Sequence, residues 1–147
     1  MTDTPAFRLD DFLPYLLSVA GNAVSDAVSA TYQGSHQLRT PEWRLIAVLA
    51  QDGAMTPLAI GQRTRMDKVT VSRAAVALME KGYVRRTPNP VDLRSHLLSL
   101  TPQGQDVHQQ VVPQAVAVEA RIFESFSEEE RQTLATLLAR AHTAASQ

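Results

Sequence analysis

A mainly α fold with a small β-wing, a winged helix-turn-helix held between long N- and C-terminal helices, is what three features of this sequence predict. The first is the order of elements between Thr56 and Thr101: two short helices about a tight turn, a glycine stop, then a strand–tip–strand ribbon. The second is local charge. The 147 residues carry a net charge of −1, yet residues 61–96 hold eight Lys/Arg against three Asp/Glu, a net of +5 that leaves −6 for the rest. A basic surface on an acidic body is an electrostatic footprint for phosphates, although a solvated charged face has the same composition. The third is a set of helix starts, Thr40-Pro41, Thr56-Pro57 and Thr101-Pro102, each offering a capping hydroxyl before a proline suited to the first helical position.

From the N-terminus, Met1 to Pro5 reads as disordered. Apolar residues then recur at helical spacing from Leu9 to about Thr31 (Phe12, Leu13, Leu16, Leu17, Ala20, Val24, Ala27, Val28), with a break expected at Gly34-Ser35. Thr40, as N-cap, opens a helix that Asp52-Gly53 closes. Thr56 opens a short one over Pro57–Gln62, followed by a turn at Thr64–Met66. Asp67 is a good N-cap for a helix over Lys68–Lys81, and Gly82 suits a left-handed stop. Strands follow at Tyr83–Thr87 and Ser95–Leu100, with Pro88, Asn89 and Pro90 in the tip. Thr101 caps a long helix to about Ser125 that Pro113 should kink or interrupt. Ser127-x-x-Glu130 is a capping box for the last helix, with Leu134, Leu137, Leu138 and Ala141 on one face and a frayed tail over Ala141–Gln147.

The helix over 68–81 has two faces. Val71, Ala75 and Leu78 lie together and form the core side, while Val69, Ser72, Arg73 and Val76 fall opposite, with Glu80 at the far end. Arginine can pair with guanine O6 and N7, and valine can meet the thymine methyl, so this outward stripe suits a major groove. Lys68 and Thr70 near the helix start, and Arg65 in the turn, suit backbone phosphates. Arg85, Arg86 and Arg94 on the wing suit a minor groove. Asp92 either orients the Arg94 guanidinium or serves as a turn residue.

The terminal helices carry more apolar surface than one small module needs to cover. A second copy would bury the excess. The expected organisation is an N-terminal dimerisation helix over 1–36, the DNA-binding module over 37–101, and C-terminal dimerisation helices over 102–147.

Composition narrows the function. Without cysteine there is no disulfide, thiolate redox sensing or cysteine metal site. No apolar run reaches membrane length and no signal-peptide core is present, which fits cytoplasmic residence. The histidines show no metal-ligand spacing, and no phosphate loop or nucleophile elbow occurs. Neither an enzyme nor a metal or cofactor site is expected. The competing reading is a winged helix used only to dock another protein, which would not need the positive charge on Arg73 and the wing.

The segments TPEWRLIAVLA, MDKVTVSR, ALMEKGYVRR and PVDLRSHLLSLTPQG cover Thr40–Gly104 almost without a gap. With Asp92-x-Arg94 and Leu100-Thr-Pro-x-Gly104, they resemble the MarR family of transcriptional regulators. The resemblance implies a homodimer, usually a repressor, on a pseudo-palindromic operator in double-stranded DNA, and often released by a small-molecule effector. It also implies an effector region near Tyr15, His36, Trp43 and Arg44. Leu58-Ala59-Ile60-Gly61 departs from the family's usual Leu-Ala-x-x-Leu. The glycine is expected to weaken that helix by up to about 1 kcal/mol.

Overall fold

The computed structural model describes residues 4–147. The disorder expected for Met1–Pro5 falls mostly outside the described residues; Thr4 and Pro5, within them, belong to no helix or strand. A 3-10 turn, Leu9–Asp11, precedes helix α1, Leu13–His36. The expected helix start at Leu9 is thus four residues early. Pro14 lies in the first turn of α1, where its missing N–H has no helical partner to lose. The break expected at Gly34-Ser35 is absent as well. The Ser35 hydroxyl donates to the Thr31 carbonyl at 2.7 Å within the helix, and α1 ends instead at left-handed Gln37, φ 54°.

Helix α2 spans Thr40–Asp52, and its N-cap is Arg39 rather than the expected Thr40. Two hydrogen bonds explain the shift. Glu42 Oε2 accepts from the Arg39 backbone N–H at 2.6 Å, and the Thr40 hydroxyl accepts from the Tyr32 hydroxyl at 3.0 Å. Helix α3, Pro57–Thr64, is capped by Thr56, whose hydroxyl accepts from the Ala59 N–H at 3.1 Å. It runs two residues past the expected Gln62 and stops at left-handed Arg65, φ 61°. The helix is continuous through Gly61. A Cβ there would stand 3.1 Å from the Met66 carbonyl oxygen, so the glycine lets the turn close over the helix.

Helix α4, Lys68–Glu80, begins at Asp67 as the sequence predicts. The Asp67 carboxylate accepts from the Thr70 N–H at 2.7 Å. Lys81 caps the helix rather than extending it, and Gly82 follows with φ 80°.

Strands β1, Val84–Pro88, and β2, His96–Leu100, pair antiparallel from Val84↔Leu100 to Pro88↔His96. Pro88 therefore ends the ladder instead of belonging to the tip, a place where its missing donor costs little. Met55 extends the ribbon's base, exchanging backbone hydrogen bonds with Leu98 at 3.0 and 2.8 Å.

Helix α5, Pro102–Ile122, runs through Pro113 without the interruption the sequence allowed. It ends before the expected Ser125, where Phe123 and Phe126 pack edge to face at 5.2 Å in a tight turn. Helix α6, Glu128–Ala145, starts with the expected capping box, and the tail expected to fray stays helical through Ala145.

One core joins α1 to α5 with the ribbon. Leu45, Ile46, Ile60, Leu78 and Leu98 are wholly buried, each contributing about 1.5–3 kcal/mol relative to exposure. Neither α6 nor the first half of α1 puts a side chain into this core. Phe12 at the N-cap of α1, Leu13, Leu16 and Leu17 on α1, Val116 on α5, and Leu137 and Leu138 on α6 are all exposed.

Candidate nucleic-acid interface

The folding of α4 leaves one of its faces unused. Val71, Ala74, Ala75 and Leu78 turn into the core, and Val69, Ser72, Arg73 and Val76 are exposed on the other side. Val69 and Val76 are 58% and 48% exposed, apolar surface that the protein's own packing leaves in water. Asp67 holds the helix start. Its carboxyl lies below the usual carboxylate range, chiefly because the Thr70 backbone N–H donates to it, with the positive charge of Arg73 a lesser cause.

Lys68 and Arg65 are exposed beside this helix start, and Thr70 is half-buried with its N–H committed to the Asp67 cap. On the wing, Arg85, Arg86 and Arg94 are all exposed. Arg85 and Arg86 are consecutive in β1, so they leave the ribbon on opposite faces rather than as a pair. The Arg85 Nε donates across the ladder to the Ser99 hydroxyl at 3.5 Å. Asp92 acts as a turn residue, since its carboxylate accepts the Arg94 backbone N–H at 3.0 Å and makes no ion pair with the guanidinium.

Two of the eight basic residues in 61–96 point elsewhere. The Arg63 Nε meets Asp52 at 3.3 Å, and the Lys81 Nζ meets buried Glu42 at 3.3 Å. Conversely, sequence reasoning missed Arg39. It lies outside the basic segment, yet it borders the same cleft of about 460 Å³ as Thr70 and Arg73, between the start of α2 and α4. Its position directly before the Thr40-Pro41 helix start was the only available signal.

Within one chain, the four residues expected to surround an effector are not brought together. Tyr15 and His36 lie 21 residues apart on one continuous helix, roughly 30 Å. The His36 Nε2 is within 2.9 Å of the Gln110 side-chain oxygen on α5. Trp43 stacks between Tyr32 and His108, at ring separations of 5.6 and 5.7 Å, and so serves the core. Trp43 and Arg44, adjacent in sequence, line one open groove of about 330 Å³. Residues of one helix pointing along one face can be far apart, which spacing alone does not reveal.

Among the described residues no group of three His, Asp or Glu side chains could hold a metal, and no helix is long and apolar enough to cross a membrane.

Comparison with known proteins follows the same lines. The MarR family model matches residues 36–95. An HTH-type transcriptional regulator of Mycobacterium leprae is 37% identical over 62 residues, 42% of this chain and 43% of its own length. The chain thus spans less than half the length of the first curated relatives it matches. The crystal structure of a MarR/EmrR family regulator from Acinetobacter sp. ADP1 superposes with a TM-score of 0.86 at 25% identity, over 95% of this chain and 99% of that one. A mutant MarR from E. coli, solved in complex with operator DNA, shares the fold with a TM-score of 0.81 at 21% identity, over 94% and 99% of the two chains.

Proposed function

Because this chain belongs to the MarR family, we propose that it is a sequence-specific DNA-binding transcriptional regulator, acting as a homodimeric repressor on a pseudo-palindromic operator. The observation that carries the reading is the unused face of α4. Two exposed valines flank Arg73 on a helix whose other side already fills the core. In water these valines have no partner. In a major groove they meet thymine methyls while Arg73 takes guanine O6 and N7. Lys68 and Arg65 then lie against phosphates and the wing arginines reach a flanking minor groove. The neighbour of the same fold that was solved on operator DNA supports this placement.

A second copy completes the device. The outward apolar residues of α1 and α6 cover each other in a two-fold dimer, and the two α4 helices enter half-sites about one helical turn apart. The dimer sets both the spacing and the palindromy.

The test is in vitro selection from a random duplex pool, followed by fluorescence anisotropy across a salt series against unselected DNA. A selected palindrome bound about a thousandfold more tightly than random DNA, with a steep salt slope, is the expected result. Salt-insensitive binding, or no selection at low salt, would refute the reading and leave the protein-docking alternative.

A further inference from the structure

Lys81 counts toward the basic segment in the sequence, but its ammonium group is already engaged by two acceptors of the protein itself. The Nζ donates to the Gln37 backbone carbonyl at 2.8 Å and to Glu42 Oε1 at 3.3 Å. Glu42 is itself only 5% exposed, and its other oxygen accepts the Arg39 N–H that starts α2. Three chain segments therefore meet at one ion pair: the end of α1, the start of α2, and the end of α4. Among the described residues, every other ion pair joins side chains at least 32% exposed. This one alone ties the reading helix to the arm. The linker it braces is short and contains the left-handed Gln37, where the chain changes direction between α1 and α2.

Geometry gives the contact leverage. Lys81 caps α4 at one end and Lys68 begins it at the other, 12 residues and roughly 18 Å from the last helical residue. A tilt of about 10° at the capped end moves the base-reading end by about 3 Å, close to the ~3.4 Å step between base pairs.

Resting on the homodimer reading above, we propose that Glu42 and Lys81 are positioning residues: a latch that sets the angle of the recognition helix against the α1 arm, and so the spacing of the two recognition helices. Neither residue touches DNA. A buried carboxylate left without its ammonium partner draws in water or seeks another cation, and the junction loosens. The first consequence is lost register between half-sites rather than lost contacts within one.

The absence of cysteine makes the test direct. Gln62→Cys, on exposed α3 and outside the proposed contacts, takes one spin label per protomer, and pulsed dipolar spectroscopy reads the distance between the two modules. With Lys81→Met or Glu42→Gln, the distance distribution broadens or shifts by several ångströms. Affinity for the selected two-half-site duplex falls about tenfold, while affinity for a single half-site changes less than about twofold. Lys81→Arg, which reaches both acceptors, restores both readouts. Far-UV circular dichroism confirms that each variant is folded, and Glu42→Gln serves should Lys81→Met unfold. An unchanged distribution in the folded variants overturns the latch. Equal losses on both duplexes also overturn it, because they would make Lys81 an ordinary phosphate contact. No dipolar distance in the labelled Gln62→Cys protein with Glu42 and Lys81 intact would refute the homodimer itself, and the latch with it.

Discussion

Gly104→Ala should unfold this protein more readily, although alanine favours helices. Gly104 sits in the first turn of α5, its N–H donating to the Thr101 hydroxyl at 3.1 Å. A Cβ there would stand 2.1 Å from the Tyr83 carbonyl oxygen and 3.2 Å from Leu100 Cδ2. The obstacle is backbone, and it is already engaged: the same Tyr83 carbonyl accepts the Thr101 N–H at 3.0 Å, while the Thr101 hydroxyl donates to the Gly82 carbonyl at 2.6 Å. Relief requires moving the start of the wing away from α5 by about an ångström, which strains or breaks those bonds. Overpacking costs about 1–3 kcal/mol and a lost hydrogen bond about 0.5–1.5, against a propensity gain of up to about 1. The net is a destabilisation centred on about 2 kcal/mol, within a span of about 0.5–3.5. Urea unfolding followed by circular dichroism, at matched protein concentration, should show a midpoint lower by about 1 M or more. Gly34→Ala is the control. It has nothing within 4 Å of its Cβ and should be neutral or stabilising by a few tenths to about 1 kcal/mol. If Gly104→Ala matched the unsubstituted protein within about 0.5 kcal/mol, the close approach of wing and α5 would be wrong.

Arg73→Ala should cost about 1–3 kcal/mol on the selected operator and flatten base preference at one position of each half-site, read by anisotropy on single-base variants. Lys68→Ala should instead weaken all duplexes alike and reduce the salt slope by about one unit per protomer. Leu137→Glu with Leu138→Glu should convert the protein to a monomer in sedimentation, because both residues are exposed apolar surface in one chain; an intact dimer would place the interface elsewhere. Asp67 gives a pH signature. Its folded pKa is lowered, so its contribution is complete above the ordinary value near 3.8 and is lost as pH falls through the lower folded value. Asp67→Asn keeps an acceptor for the Thr70 N–H, so the stability difference between the two proteins should be constant above about pH 5 and shrink below it, as measured by urea midpoints.

Helix caps were the most legible part of the fold, because a cap is local chemistry. Thr56, Asp67, Thr101 and Ser127 each accept the backbone N–H that their sequence position implies. Thr40 did not, and the reason is tertiary: Tyr32, eight residues away on α1, claims its hydroxyl, while Glu42 satisfies the Arg39 N–H from inside the helix. Two glycines inside helices show the same limit, whereas Gly53 and Gly82 end their helices as expected. Gly34 and Gly61 look alike as helix weakeners, yet one has open space and the other a carbonyl at 3.1 Å. Propensity describes a residue's own backbone, whereas the neighbour that decides its role comes from another part of the chain.

Charge divides similarly. A count over residues 61–96 treats eight cations as one surface, but a cation's function depends on what already faces it. Arg63 and Lys81 meet Asp52 and Glu42, two carboxylates outside the counted segment, and so belong to the scaffold. Arg65, Lys68, Arg73, Arg85, Arg86 and Arg94 make no ion pair with a carboxylate among the described residues. Every one of these six lies on the α3–α4 turn, on α4 or on the wing, where the fold leaves an exposed face that its core does not need. Removing the two scaffold cations lowers the total and sharpens the footprint, since those that remain are the ones whose charge the protein itself leaves unanswered. An anionic partner that spans helix and wing together answers it, and double-stranded DNA has that shape and charge.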